Sequence, residues 1–250
     1  FYIAPTQVAF GVTGNGGCPR RLAAATNAAQ GRTTMAQPHV ITGAGQRAFS
    51  AGGDLAAMLD RLENHRHSEW VQAMSEGRDL IHSLVRLQKP LIARINGHAI
   101  GLGATIAAFA DFSYMMADAK IADTHVNVGL AAGDGGAAIW PLLVGFTRAR
   151  QHLLTGDPLT GGQAAEIGLI TQAVESFEEL DAKVWQMAQR LEASSTLAVR
   201  YTKMAINLVL EKLLDGVVDA HLGWETLTYM SADHKEAVKA ILEKRSPVFS

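Results

Sequence analysis

The spacing of apolar residues changes along the chain. Between residues 40 and 116, short runs of strand length alternate with stretches of helical period. Val40-Ile41 is strand-like and leads into Thr42-Gly43-Ala44-Gly45, and Leu55 to Arg61 starts a helix. Trp70, Met74, Ile81, Leu84 and Val85 fall on one helical face. Leu91 to Ile95 reads as a buried strand, with Pro90 at its start, where a missing amide does least harm. Thr105 to Asp111 continues as helix and Phe112 to Met116 as strand. The second half is mostly helical. Thr160-Gly161-Gly162-Gln163 fits a capping box, and Gly168 fits the C′ stop of the short helix that follows. Phe177, Leu180, Val184, Met187 and Leu191 repeat at helical spacing. Leu197 to Leu213 and Val217 to Met230 predict two amphipathic helices, and Ala237, Val238, Ile241 and Leu242 form the stripe of a last one. Strands alternating with helices, then a helical tail, indicate an α/β fold. Residues 1–39 are less regular: a strand over Tyr2 to Val12 broken by Pro5, a turn at Gly14 to Pro19, and a helix over Arg21 to Gln30. Asn64 to Ser68 reads as a polar, mobile loop.

Two glycine-rich strand-to-helix turns organise this pattern. One runs from Thr42 to Leu55 and the other from Lys89 to Thr105. Glycine permits positive φ and a close approach of another backbone or a ligand. The unpaired amides of a helix's first turn then point outward, where they can hold negative charge. Two such turns facing each other would make a two-amide oxyanion hole.

Phe49-Ser50-Ala51-Gly52-Gly53-Asp54-Leu55 and Asn96-Gly97-His98-Ala99-Ile100-Gly101-Leu102-Gly103 resemble the paired signatures of the crotonase (enoyl-CoA hydratase/isomerase) superfamily. The resemblance continues through Ala117-Asp118-Ala119-Lys120, Val128-Gly129-Leu130, Leu154-Thr155-Gly156 and Ala164 to Leu169, and covers roughly residues 40–250. It implies an α/β crotonase-like ββα spiral over residues 1–190, with a first segment short by about one helix, and a C-terminal helical region over 191–250 that builds a homotrimer or a dimer of trimers. It also implies that the backbone amides of Gly53 and Leu102 hold a thioester oxygen, with Ala51, Asp54, Leu55 and Trp140 beside the substrate. Trp140 reads as pocket wall or core. Coenzyme A would enter as part of the acyl substrate, with no permanently bound cofactor and no metal. In the family, basic residues like Lys235, Lys239, Lys244 and Arg245 reach a phosphate of a neighbouring subunit's CoA.

The acid–base groups depart from the hydratase pattern. Thr105 and His125 occupy the two positions where hydratases of the family place glutamates. Hydration of an enoyl thioester uses one such group to deprotonate water and another to protonate the α-carbon, so ordinary hydratase chemistry is placed in doubt. Asp134, among Gly133, Gly135 and Gly136, is either a base or the N-cap of the next helix. Asp134-Gly135-Gly136 followed by Ile139-Trp140-Pro141 also resembles the β-diketone hydrolases of the 6-oxocamphor hydrolase type, where the aspartate works with a histidine. Their catalytic histidine would fall near Leu102. His125 titrates near neutrality and can serve as base, acid or polariser, or can be a hydrogen-bonded histidine at an element's end; Asp123 either orients it or is a surface charge. His98 reads as structural, and His65-x-His67 lacks a partner cluster for metal. Asp134 and His125 are therefore the catalytic candidates.

Composition narrows the alternatives. In 250 residues, 48% are hydrophobic and 18% charged, with a net charge of −2, which gives no electrostatic footprint for nucleic acid or an anionic membrane. A single cysteine, Cys18, excludes an internal disulfide and favours a reducing, cytoplasmic setting. No apolar run has the length of a membrane span, and no basic segment followed by an apolar core marks a signal peptide. The chain begins at Phe1 rather than methionine, consistent with a fragment. Neither a G-x-S-x-G nor a dinucleotide fingerprint occurs. Three readings follow: an enoyl-CoA hydratase/isomerase-like enzyme working by enolate stabilisation, a β-diketone C–C hydrolase, and a CoA-ester-binding protein without catalysis.

Overall fold

The computed structural model describes residues 2–4, 8–9 and 37–249. The turn expected at Gly14 to Pro19, the helix expected at Arg21 to Gln30, and Cys18 lie outside them.

Three consecutive ββα units build the site-bearing half. In each, the first strand joins one sheet and the second strand joins another. The first unit is β3 (His39–Thr42), β4 (Ala48–Ser50) and α1 (Leu55–Glu63), followed by α2 (His67–Arg86). The second is β5 (Leu91–Ile95), β6 (His98–Ile100) and α3 (Leu102–Phe109). The third is β7 (Phe112–Met116), β8 (Lys120–Ala122), a 3-10 turn over His125–Val128, and α4 (Gly136–Thr155). β9 (Leu159–Thr160), α5 (Gly161–Glu166) and β10 (Gln172–Val174) close the sheets. With β1 (Tyr2–Ala4) and β2 (Val8–Ala9), the larger sheet has the order β10-β7-β5-β3-β1-β2. Its β3, β5, β7 and β10 are parallel, and β1 is antiparallel to both neighbours. The smaller sheet has the order β4-β6-β8-β9, parallel except at β8–β9.

This repeated crossing puts the first strands together, buried on both faces, as a parallel sheet requires. Ile92, Ala93 and Ile95 of β5 are inaccessible to solvent. The main core lies between the two sheets and α2, α3 and α4, and contains Ile41, Leu80, Ile95, Ile106, Ile121 and Trp140. The opposite face of the larger sheet is covered by α6 (Phe177–Glu192), through Leu180, Val184 and Ala188. Asn96 staples the first two units together. Its Oδ1 accepts from Gly43 N at 2.9 Å and Thr42 Oγ1 at 3.2 Å, and its Nδ2 donates to Gly45 O at 2.7 Å.

The helices expected from spacing are present, including the capping box of α5, where Thr160 and Gln163 bond reciprocally. Gly168 follows it with φ +81°. The helical tail is α7 (Thr196–Asp215), α8 (Val218–Tyr229) and α9 (Ala232–Leu242). Two expectations, for the second glycine turn and for the loop at Asn64 to Ser68, are corrected. The second glycine turn contains a strand, β6, where continuous turn was expected, because Ala99 and Ile100 pair with β8. Along α7, Leu214 is buried and Leu210 packs against the core, whereas Leu197, Ile206, Leu208 and Val209 are each more than half exposed. The expected loop at Asn64 to Ser68 is shorter than its composition suggests, since α2 already begins at His67.

Candidate active site

β4 and β6 run parallel as neighbours, with Ser50 opposite Ala99, so the two glycine turns leave the sheet side by side. The backbones touch there. Gly52 has φ +82° and Gly101 φ +55°, and a β-carbon on Gly101 would lie 3.7 Å from Gly52 Cα. A β-carbon on Gly52 would stand 3.1 Å from Ile100 O, so glycine is needed both for the dihedral and for the approach. Each turn starts a helix. Asp54 caps α1, accepting from Ala57 N at 3.0 Å, and Gly101 precedes α3 without a side-chain cap. Among the described residues, neither the Gly53 N–H nor the Leu102 N–H has a protein acceptor. Two free amides at adjoining helix starts are a place for developing negative charge.

Beside the second turn lies a buried cluster of titratable groups. A β-carbon on Gly101 would come within 4.0 Å of His125 Cε1, which makes the imidazole edge a neighbour of that turn. β8 ends at Ala122, so Asp123 and His125 follow at the sheet's margin. His125 Nδ1 lies 2.6 Å from Asp123 Oδ1, and its Nε2 lies 3.4 Å from Asp134 Oδ2. The imidazole thus bridges two carboxylates. Asp134 is held from its other side by Thr105 Oγ1, which donates to Oδ1 at 3.1 Å, and by the Gly136 backbone N–H. Asp134 is not the helix N-cap; Gly135, at φ +103°, takes that position and leaves the carboxylate turned toward His125. Gly136 leaves space for Asp123, since a β-carbon there would sit 2.0 Å from Asp123 Oδ2.

Glu225, from α8, completes the cluster. Sequence reasoning missed it because it lies on a helical tail, 91 positions beyond Asp134, with no motif around it. It is 3% exposed, its Oε1 is 4.0 Å from His125 Nε2, and its Oε2 has no hydrogen-bond partner among the described residues. Its burial, unusual for a carboxyl, is the signal that finds it.

The electrostatics follow from burial and proximity. Desolvation raises the Glu225 carboxyl to about 8, with Asp134 and Asp123 adding to the rise and His125 opposing it, so Glu225 is a protonated acid at neutral pH. For His125, burial disfavours the charge, but Asp134 and Asp123 overcome it and hold the imidazole well above its ordinary value. For Asp134, burial is likewise outweighed, by His125 and the Thr105 and Gly136 hydrogen bonds, which lower it. At neutral pH the cluster is therefore an imidazolium between two carboxylates, facing a neutral carboxylic acid. Asp123, His125 and Asp134 also bring three donor atoms within 4.8 Å of one another, a spacing that a divalent cation tolerates. Their mutual geometry is that of hydrogen bonding, with the Nδ1 of the ring engaged by Asp123.

Other residues singled out in the sequence fall elsewhere. Ala51 is exposed and Leu55 half-buried at the first turn. Of the two places open to Trp140, pocket wall or core, it takes the core, where it is fully buried. His98 accepts from Lys120 N at 3.0 Å, a structural bond between β6 and β8. His65 and His67 are exposed, with ring centroids 6.0 Å apart. The basic C-terminal face is partly neutralised, with Lys239 on Glu63 at 3.0 Å and Arg245 on Glu243 at 2.6 Å. Among the described residues no helix is long and apolar enough to cross a membrane.

Comparison with known proteins agrees with this architecture. Residues 26–250 match the sequence profile of the family described as enoyl-CoA hydratase/isomerase. The 1,2-epoxyphenylacetyl-CoA isomerase of Escherichia coli is 36% identical over 214 residues, covering 84% of this chain and 80% of that protein. The crystal structure of an enoyl-CoA hydratase/isomerase from Mycobacterium paratuberculosis superposes with a TM-score of 0.78 at 31% identity, over 90% of this chain and 84% of the other. A β-diketone hydrolase from the cyanobacterium Anabaena, solved with (S)-3-oxocyclohexyl acetic acid, gives a TM-score of 0.75 at 25% identity, over 88% and 85%.

Proposed function

This chain belongs to the enoyl-CoA hydratase/isomerase family, the crotonase superfamily, and from that premise we propose that it isomerises an unsaturated acyl-CoA thioester through an enolate. The observation that carries the reading is the contact between His125 and Asp134 beside two free turn amides. In this mechanism the thioester oxygen accepts from Gly53 N–H and Leu102 N–H. Asp134 removes a proton from the α-carbon, and the C–H electron pair moves into the thioester as an enolate, whose charge the two amides stabilise. The double bond then shifts as the γ-carbon takes a proton, from Asp134 itself or from the imidazolium and Glu225 behind it. One base can therefore shuttle the proton, and no second carboxylate in the hydratase position is needed, which suits Thr105. The neutral Glu225 supplies an acid, and Asp123 supports the positive imidazole. Coenzyme A is then part of the substrate. Ala51, Asp54 and Leu55 sit where the acyl thioester would pass the first turn.

A second reading is favoured by a particular observation. A buried Asp–His pair beside an oxyanion site can also activate water, and the similarity to the β-diketone hydrolase spans most of both chains. Water addition to a cyclic β-diketone, followed by C–C cleavage to a keto acid, would use the same groups without CoA. For assembly we propose a homotrimer or a dimer of trimers in the cytoplasm, supported by the apolar residues of α7 that this chain alone leaves exposed.

The test is a substrate panel at pH 7.5. It contains a 3-enoyl-CoA for isomerisation, crotonyl-CoA for hydration and a cyclic 1,3-diketone for hydrolysis, with CoA-ester binding measured on the same samples. Turnover of the 3-enoyl-CoA above the others supports the proposal. Diketone cleavage without CoA dependence replaces it with the second reading, and binding without any turnover indicates a non-catalytic CoA-ester protein.

A further inference from the structure

The corner where α8 turns into α9 grips the backbone that carries His125. His234, fully buried at the start of α9, lies with Nδ1 2.6 Å from Val128 O, the last residue of the 3-10 turn that His125 begins. Three residues further on, Ala131 N donates to Thr228 Oγ1 at 3.0 Å. Between these contacts Gly129, at φ +69°, lies against the His234 backbone, where a β-carbon would stand 2.9 Å from His234 Cα. The corner thus holds the chain on both sides of Gly129, between His125 and Asp134.

The chemistry of the contact fixes its state. A peptide carbonyl only accepts, so Nδ1 carries the hydrogen and Nε2 is the bare nitrogen. Nε2 has no partner among the described residues, and burial lowers the ring's affinity for a second proton. His234 is therefore a neutral ring with its one N–H committed to the turn. The corner is itself anchored: Tyr229 stacks on Trp70 with centroids 3.7 Å apart, and Trp70 Nε1 donates to Thr226 Oγ1 at 3.1 Å. Removing the His234 donor would leave the Val128 carbonyl without that bond and free the turn to move.

We propose that His234 is a positioning residue, which holds the 3-10 turn so that His125 Nε2 faces Asp134. The inference rests on His125 being a working proton carrier, as proposed above.

The test compares His234→Leu, which removes the donor, with His234→Asn, whose amide can offer an N–H near the place of Nδ1. Steady-state kinetics and NMR titration of the His125 imidazole are read on each. A displaced catalytic group costs on the order of 100-fold in rate. His234→Leu is expected to lose about that much kcat with KM little changed, and to move the His125 titration toward that of an ordinary histidine. His234→Asn is expected to restore most of both. The proposal is overturned if Leu and Asn variants behave alike, or if the Leu variant keeps the parent's kcat and titration. Should the Leu variant not fold, Thr228→Val, which removes the corner's other hold on the turn, the bond from Ala131 N, together with the hydroxyl's bonds to the Trp224 and Glu225 carbonyls, decides by the same two readouts. His125→Gln separates the two claims: full turnover there refutes the acid–base reading, while the NMR result in the His234 variants still judges the positioning.

Discussion

Replacing Glu225 by glutamine removes the ionisable group while keeping shape and buried polarity, and the structure gives the effect a size. Burial lifts this carboxyl from 4.5 to about 8. Because the folded-state value is raised, folding favours the protonated form. Relative stability is full below the unfolded value and is lost as pH rises through the folded one. A rise of about three and a half units, at about 1.4 kcal/mol per unit, amounts to about 5 kcal/mol. Between pH 5 and pH 7.5 the parent should therefore lose stability relative to Glu225→Gln by on the order of 1 kcal/mol per pH unit. The assay is urea unfolding of both proteins at pH 5.5, 6.5 and 7.5, at one fixed protein concentration so that any assembly contributes equally. Converging curves at low pH and divergence at high pH are expected. Parallel stability–pH curves would refute the reasoning, because they would mean that Glu225 titrates like a solvated carboxyl.

Three further outcomes follow from the same geometry. Turnover should fall as pH rises through about 8, where Glu225 loses its proton, and Glu225→Gln should lack that limb of the profile. Gly136→Ala should push Asp123 off His125, given the 2.0 Å approach to Asp123 Oδ2, and lower kcat on the order of 100-fold with CoA-ester binding retained. Gly52→Ala places a β-carbon at φ +82° against Ile100 O and should destabilise by roughly 1–2 kcal/mol from the dihedral alone, read as a lower urea midpoint.

The helices and the long strands were legible in the sequence because their apolar residues repeat with a period that burial enforces. β5 and the stripe on α2 are examples. The two- and three-residue strands β4, β6, β8, β9 and β10 were not, since so few residues display no period and pairing alone makes them strands. Asp134 and His125 could be picked out from glycine context and motif position. Their contact could not, because it depends on β8 and α4 meeting in space. Glu225 and His234 were invisible for the same reason: on helices at the end of the chain, a glutamate and a histidine look like surface residues until the α8–α9 corner turns them inward. The apolar residues of α7 were legible as a helix, but what covers its exposed ones was not, since a sequence pattern does not say what will cover a face.

If Asp134 makes an enolate held by the two turn amides, α-proton exchange will show it. An acyl-CoA is incubated in D2O with the parent and with Asp134→Asn, deuterium at the α-carbon is followed by NMR, and acyl-CoA binding is measured alongside. Rapid exchange is expected in the parent, and exchange slower by about 10²–10⁴-fold in the mutant while binding persists. Equal exchange in the two proteins, or none in a parent that binds the ester, would contradict it.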